Sequence, residues 1–125
     1  MGATLAARVI DRLGAAGSVG TFIGIAGAFH GLYACGIYPA NVATTTCGSW
    51  GLSIGSPFLT GIQGHRFGAK MYSFKSYSDE INCYGSCYVY GVHTSQIQGE
   101  NASYTFAYAH YGLLWYTATQ QVNLL

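Results

Sequence analysis

Five glycines, Gly17, Gly20, Gly24, Gly27 and Gly31, recur at spacings of three and four. On a helix turning ~100° per residue they fall within an arc of about 80°. The opposite side then carries Val19, Phe22, Ala26, Phe29 and Tyr33. No Lys, Arg, Asp or Glu occurs between Arg12 and Arg66. A smooth glycine stripe on an apolar helix admits another backbone at close range. Glycine costs ~1 kcal/mol per interior helix position relative to alanine, so five cost ~5 kcal/mol. Such a helix requires lipid or a closely packed partner surface. The helical reading is adopted here, although the same residues also fit a strand with Val19, Thr21, Ile23 and Ile25 on one face. A helix central to a soluble fold and a true membrane span both stand open at this level.

The length, 125 residues, suits one domain over 1–125. Within it, 1–38 reads as an apolar helical segment and 66–119 as a region of antiparallel sheet. Charged residues make up only 7% of the chain, against a typical ~25%. The surface must therefore be neutral and polar, or covered by other copies of the chain or by lipid. A net charge of +1 argues against a nucleic-acid partner. Arg8 and Arg12 precede the apolar run in the manner of a signal anchor. Leu13 to Tyr38 is long enough for a bilayer, which needs ~20 residues.

The four cysteines, Cys35, Cys47, Cys83 and Cys87, favour two disulfides and an extracellular, oxidising compartment. An extended Cys83–Cys87 segment would separate its Cα atoms by ~13 Å, beyond the ~7 Å that a disulfide tolerates. That pair closes only across a turn at Tyr84-Gly85-Ser86. The preferred expectation joins each to Cys35 or Cys47. Zinc is the runner-up, although neither pair has Cys-x2-Cys spacing. Asn101-Ala102-Ser103 is a glycosylation sequon.

From Arg66 the apolar period changes to two. Cys87 to His93 is strand-like in residue type, and Ser103 to Thr119 is the longest strand candidate. Tyr104, Tyr108, Tyr111, Trp115 and Tyr116 read as interface aromatics, since aromatic residues are enriched in subunit contacts and membrane belts. The expected fold is α+β: a glycine-faced apolar helix packed on a small antiparallel, Tyr-rich, disulfide-stapled sheet.

Catalytic signals are thin. The adjacent Asp79 and Glu80 suggest a turn. His30 reads as a packed histidine, and His65, His93 and His110 are scattered. His93 and His110 would face each other across a hairpin, with no third ligand to complete a metal site. The chain therefore reads as non-enzymatic, with no cofactor, no metal and no small-molecule substrate.

The glycine-rich segment GAAGSVGTFIGIAGAFHGLYACG, followed by a cysteine-stapled aromatic sheet, resembles the salt-mediated fungal killer toxins. That resemblance implies a small secreted α/β-sandwich protein that damages target membranes. Its partners would be membrane lipid or copies of itself. Two alternatives are a structural subunit of a filament, pilus or virion shell, and a single-span accessory subunit of a membrane complex.

Overall fold

The computed structural model describes residues 1–125, the whole sequence. Helix α1, Gly2–Arg12, buries Thr4 and Ala7 and packs Ala3 and Ile10 beside them. Those apolar positions share one face at spacings of four and three. A 3₁₀ turn at Ala16–Ser18 then leads into strand β1, Thr21–Ile25.

This strand replaces the expected glycine-faced helix. Phe22 and Gly24 point inward while Thr21, Ile23 and Ile25 are half-buried, a period of two. Gly17 lies in the 3₁₀ turn, Gly24 in β1, and Gly27 and Gly31 in the segment that follows. The β-branched alternation of Val19, Thr21, Ile23 and Ile25 prevails because the strand avoids the helical glycine cost and buries Phe22. No helix is long and apolar enough to cross a membrane.

After β1 come a second 3₁₀ turn at Tyr33–Cys35, the short helix α2, Pro57–Thr60, and strand β2, Lys70–Ser76. A small hairpin of β3, Tyr88–Val89, and β4, Val92–His93, precedes strand β5, Ala102–Phe106. Helices α3, Gly112–Trp115, and α4, Ala118–Asn123, end the chain. The main sheet has the order β1-β2-β5 and both pairings are parallel. Phe22 stands opposite Met71 and Gly24 opposite Ser73, while Phe74 stands opposite Tyr104. The expected antiparallel α+β arrangement is thus corrected to mixed α/β. Long connections separate consecutive strands of the sheet, as parallel pairing requires.

Ser103 to Thr119 does not run on as one strand. It bends after Phe106 because Leu113 is fully buried on α3, whose first turn is closed by the Leu113 N–H donating to Ala109 O. One core cluster joins Ala7, Phe22, Phe29, Ile62, Phe67, Met71 and Ile97. Phe22, Phe29 and Phe67 form its aromatic centre, with ring centroids 5.4–6.4 Å apart. Burying each such ring contributes ~1.5–3 kcal/mol. A second cluster gathers Ala28, Leu32, Cys35, Leu52, Phe58 and Leu59 around α2.

The disulfides are Cys35–Cys47 and Cys83–Cys87, not the cross-linked set. Gly85, at φ +89°, lets Tyr84–Ser86 turn back, so the Cα atoms of Cys83 and Cys87 approach to 4.0 Å. Asn101 is exposed at the start of β5. Its Oδ1 accepts the Met71 N–H at 2.9 Å and its own N–H donates to Met71 O at 2.8 Å. The side-chain amide thereby extends the β2–β5 ladder.

Candidate active site

Parallel strands all end on one side of their sheet, and ligands of open α/β sheets bind outside those carboxyl ends. Here β1 ends at Ile25, β2 leads into Asp79, and β5 leads into His110. Helix α1 runs into β1, so its first residues return to the same side. A cleft of about 300 Å³ opens there, lined by Met1, Gly2, Ala3, Ile25, Ala26, His110, Tyr111 and Leu114.

The His110 ring reaches Asp79 with its Nδ1, 2.9 Å from Oδ1 and 2.8 Å from Oδ2. Asp79 is buried and His110 half-buried. The Asp79 Oδ1 also accepts the backbone N–H groups of Ile81, at 3.0 Å, and Asn82, at 2.9 Å. Burial alone would raise the Asp79 carboxyl. The hydrogen bonds from His110, Asn82 and Ile81 outweigh burial and hold it below its ordinary value, so it stays ionised. An ionised carboxylate accepts only, which puts the proton on His110 Nδ1 and leaves Nε2 free to take another. Glu80, next in sequence, accepts the His110 backbone N–H at 3.0 Å, and that bond pulls its carboxyl down as well. The Met1 amino group is depressed by burial, with an opposing pull from Asp79.

Asn82 secures the other wall. Its Nδ2 donates to Ala26 O at 3.0 Å, Gly27 O at 3.2 Å and Ser95 Oγ at 3.0 Å. Ala26 has φ +51°, a left-handed conformation that costs a non-glycine residue ~1–3 kcal/mol. The Asn82 contact and the Ala26 N–H bond to Phe74 O, 3.0 Å long, hold it there. Replacing Asn82 with Ala leaves two buried carbonyls without that donor. The expected cost is about 2–4 kcal/mol, read by circular dichroism as a thermal midpoint lower by about 8–15 °C. A change below about 3 °C would refute this role.

The other histidines serve elsewhere. His93 is buried, with Nε2 on Ser76 O at 3.2 Å and Nδ1 accepting the Ser95 N–H at 3.1 Å. It does not pair with His110 across a hairpin. His65 pairs with Asp11 at 2.7 Å on the surface, and burial lowers His30. Sulfurs of Cys83 and Cys87 lie near His93, but they are joined to each other and are not thiolate ligands.

The Lipase (class 2) family model matches residues 11–123. The chain belongs to this family. It is an α/β-hydrolase-type lipase family, and the parallel sheet with Asp79 and His110 beyond its strand ends agrees with that. Neither the curated proteins nor the solved structures give a match. Membership in Lipase (class 2) overturns the killer-toxin resemblance, the non-enzymatic reading, the filament, pilus or virion-shell subunit and the single-span accessory subunit. It points to a lipid ester as the molecule bound, in place of a membrane or a second copy.

Sequence reasoning for this lipase-family chain missed the Asp79–His110 pair. The available signal was order: an Asp then a His, each just past a strand. The reading that no Gly-x-Ser-x-Gly elbow occurs in the sequence is also wrong as to the pattern, which Gly51-Leu52-Ser53-Ile54-Gly55 carries. In a hydrolase elbow that serine is exposed on a strand-to-helix turn. Ser53 is instead fully buried, its Oγ accepts the Gly48 N–H at 2.6 Å, and it does not line the cleft. Of the aromatics singled out, only Tyr111 lines the cleft; Trp115 stacks on it at 5.9 Å. Tyr104 and Phe106 pack across Phe74, with Tyr108 beyond Phe106 and Tyr116 on Tyr108.

Proposed function

We propose that this chain is the acid–base part of an ester-hydrolysing site for uncharged acyl esters of lipid type. The observation that carries the reading is the Asp79–His110 pair facing an apolar cleft at the carboxyl ends of a parallel sheet. His110 Nε2 takes the proton of the attacking hydroxyl and returns it to the departing alcohol oxygen. Asp79 holds the ring by Nδ1 and stabilises the imidazolium formed in between. Helix α1 begins at the cleft with no side-chain cap, and its first N–H groups suit the oxyanion of the tetrahedral intermediate. Met1, Ala3, Ile25, Ala26 and Leu114 offer apolar contact for an acyl chain. No Lys or Arg side chain lines the cleft, burial disfavours the charged form of the Met1 amino group there, and Asp79 and Glu80 are the acidic groups beside it. A neutral ester therefore fits better than an anionic one. Two disulfides are consistent with an oxidising compartment, and we place the protein outside the cell.

No Ser, Thr or Cys lines the cleft, so the attacking hydroxyl does not come from its lining residues. The reading is tested with p-nitrophenyl butyrate. The protein is expected to hydrolyse it faster than buffer alone, and His110→Ala is expected to abolish that turnover. Turnover that ignores His110, or none by the folded protein, overturns the reading.

A further inference from the structure

We propose that Glu80 is a positioning residue of this site: its carboxylate fixes the main chain from which the His110 imidazole reaches Asp79. The inference rests on the hydrolase reading. Two neighbouring carboxylates grip one histidine at two points. Asp79 takes the ring at Nδ1 and Glu80 takes the backbone N–H at 3.0 Å. His110 lies in the irregular segment between β5 and α3, beyond the β2–β5 ladder. Its N–H makes no backbone–backbone hydrogen bond outside the regular elements. Glu80 is thus the anchor that ties that stretch to the Asp79 turn.

The anchor itself starts from a fixed turn. Asp79 Oδ1 accepts the N–H groups of Ile81 and Asn82, and the Cys83 N–H donates to Asp79 O at 2.9 Å. Cys83 is then stapled to Cys87. A side chain launched from this turn arrives at His110 with little freedom. Glu80 is exposed, so its bond contributes little to global stability. What it supplies is placement, and a displacement of about 1 Å in a reacting group can cost ~10²-fold in rate.

The test uses the 125-residue chain and nuclear magnetic resonance. Glu80→Ala is expected to speed hydrogen exchange of the His110 backbone N–H at least tenfold (an order-of-magnitude expectation for a freed amide) and to broaden the His110 Nδ1–H resonance. Glu80→Gln, whose amide oxygen can accept the same bond, is expected to retain both signals. With p-nitrophenyl butyrate as substrate, Glu80→Ala is expected to lower kcat about tenfold with KM unchanged, and Glu80→Gln to restore it. Unchanged exchange and an unchanged Nδ1–H resonance in Glu80→Ala overturn the proposal alone. Asp79→Asn separates the two levels. If it leaves the Nδ1–H resonance in place, the hydrolase reading fails and the Glu80 proposal fails with it.

Discussion

His110→Ala is expected to lower kcat/KM for p-nitrophenyl butyrate by about 10⁴, and Asp79→Asn by a similar factor. The two effects should not add, because the residues act as one unit. Without His110 no side chain lining the cleft can take the proton of the attacking hydroxyl near neutral pH. With Asn at position 79, the amide can donate to Nδ1, which favours the tautomer that carries its proton on Nε2. That ring cannot serve as the base. A loss of 10⁴ corresponds to ~5.5 kcal/mol of transition-state stabilisation at 1.36 kcal/mol per factor of ten. The double variant should sit within about threefold of either single one, since additivity fails for residues in direct contact. Circular dichroism should show the His110→Ala fold intact, because the ring is only half-buried and makes its one bond to Asp79. A loss under about tenfold, or fully additive losses, would remove Asp79 and His110 from the reaction.

The residues differ sharply in how much of this they disclose. The alternation of Val19, Thr21, Ile23 and Ile25 is visible in the sequence and marks β1 correctly. It lost to the glycine spacing because five glycines at intervals of three and four mimic a helix face. Gly24, Gly27 and Gly31 answer to tertiary contacts and Gly17 and Gly20 to none, and a periodicity argument has no access to that difference. The parallel sheet was hidden for a related reason. Tyr-rich alternation marks a strand but not the direction of its neighbour, which depends on where a long connection returns the chain. Asp79 and His110 lie far apart in sequence, and only parallel strand ends bring them to one cleft. A lone histidine beside tyrosines carries no sign of its acid partner. The Cys83–Cys87 bond was legible only through the turn-forming Tyr84-Gly85-Ser86, and the extended-chain distance argued against it.

Gly31→Ala is expected to be the most damaging glycine substitution in the segment, and Gly17→Ala among the mildest. Gly31 has φ +98°, where an L side chain is strained. A Cβ there would lie 2.7 Å from Ile54 Cα and 2.9 Å from Ile54 N. Those are backbone atoms, held on both sides. The Leu32 N–H donates to Leu52 O at 2.8 Å, Thr94 Oγ1 donates to Gly31 O, and the Ile54 N–H donates to Gly36 O at 3.0 Å. Neither backbone segment of the contact can step aside as a flexible side chain would. Left-handed strain of ~1–2 kcal/mol and overpacking of ~1–3 kcal/mol together predict a loss of about 2–5 kcal/mol. That is a large share of a typical total of ~5–15 kcal/mol, and thermal unfolding should show a midpoint lower by about 8–20 °C. Gly17 and Gly20 have no atom within 4 Å of an added Cβ and no positive φ, so alanine there should be neutral or slightly stabilising. Gly24 lies between, since its Cβ would press on Phe29 Cε2 at 2.9 Å and Ile97 Cδ1 at 3.0 Å, both ends of side chains. A helix stripe demands similar effects at all five positions, with each alanine gaining helix propensity. A steep gradient from Gly17 to Gly31 is what a strand followed by a close backbone crossing requires, and equal effects would contradict the crossing at Ile54.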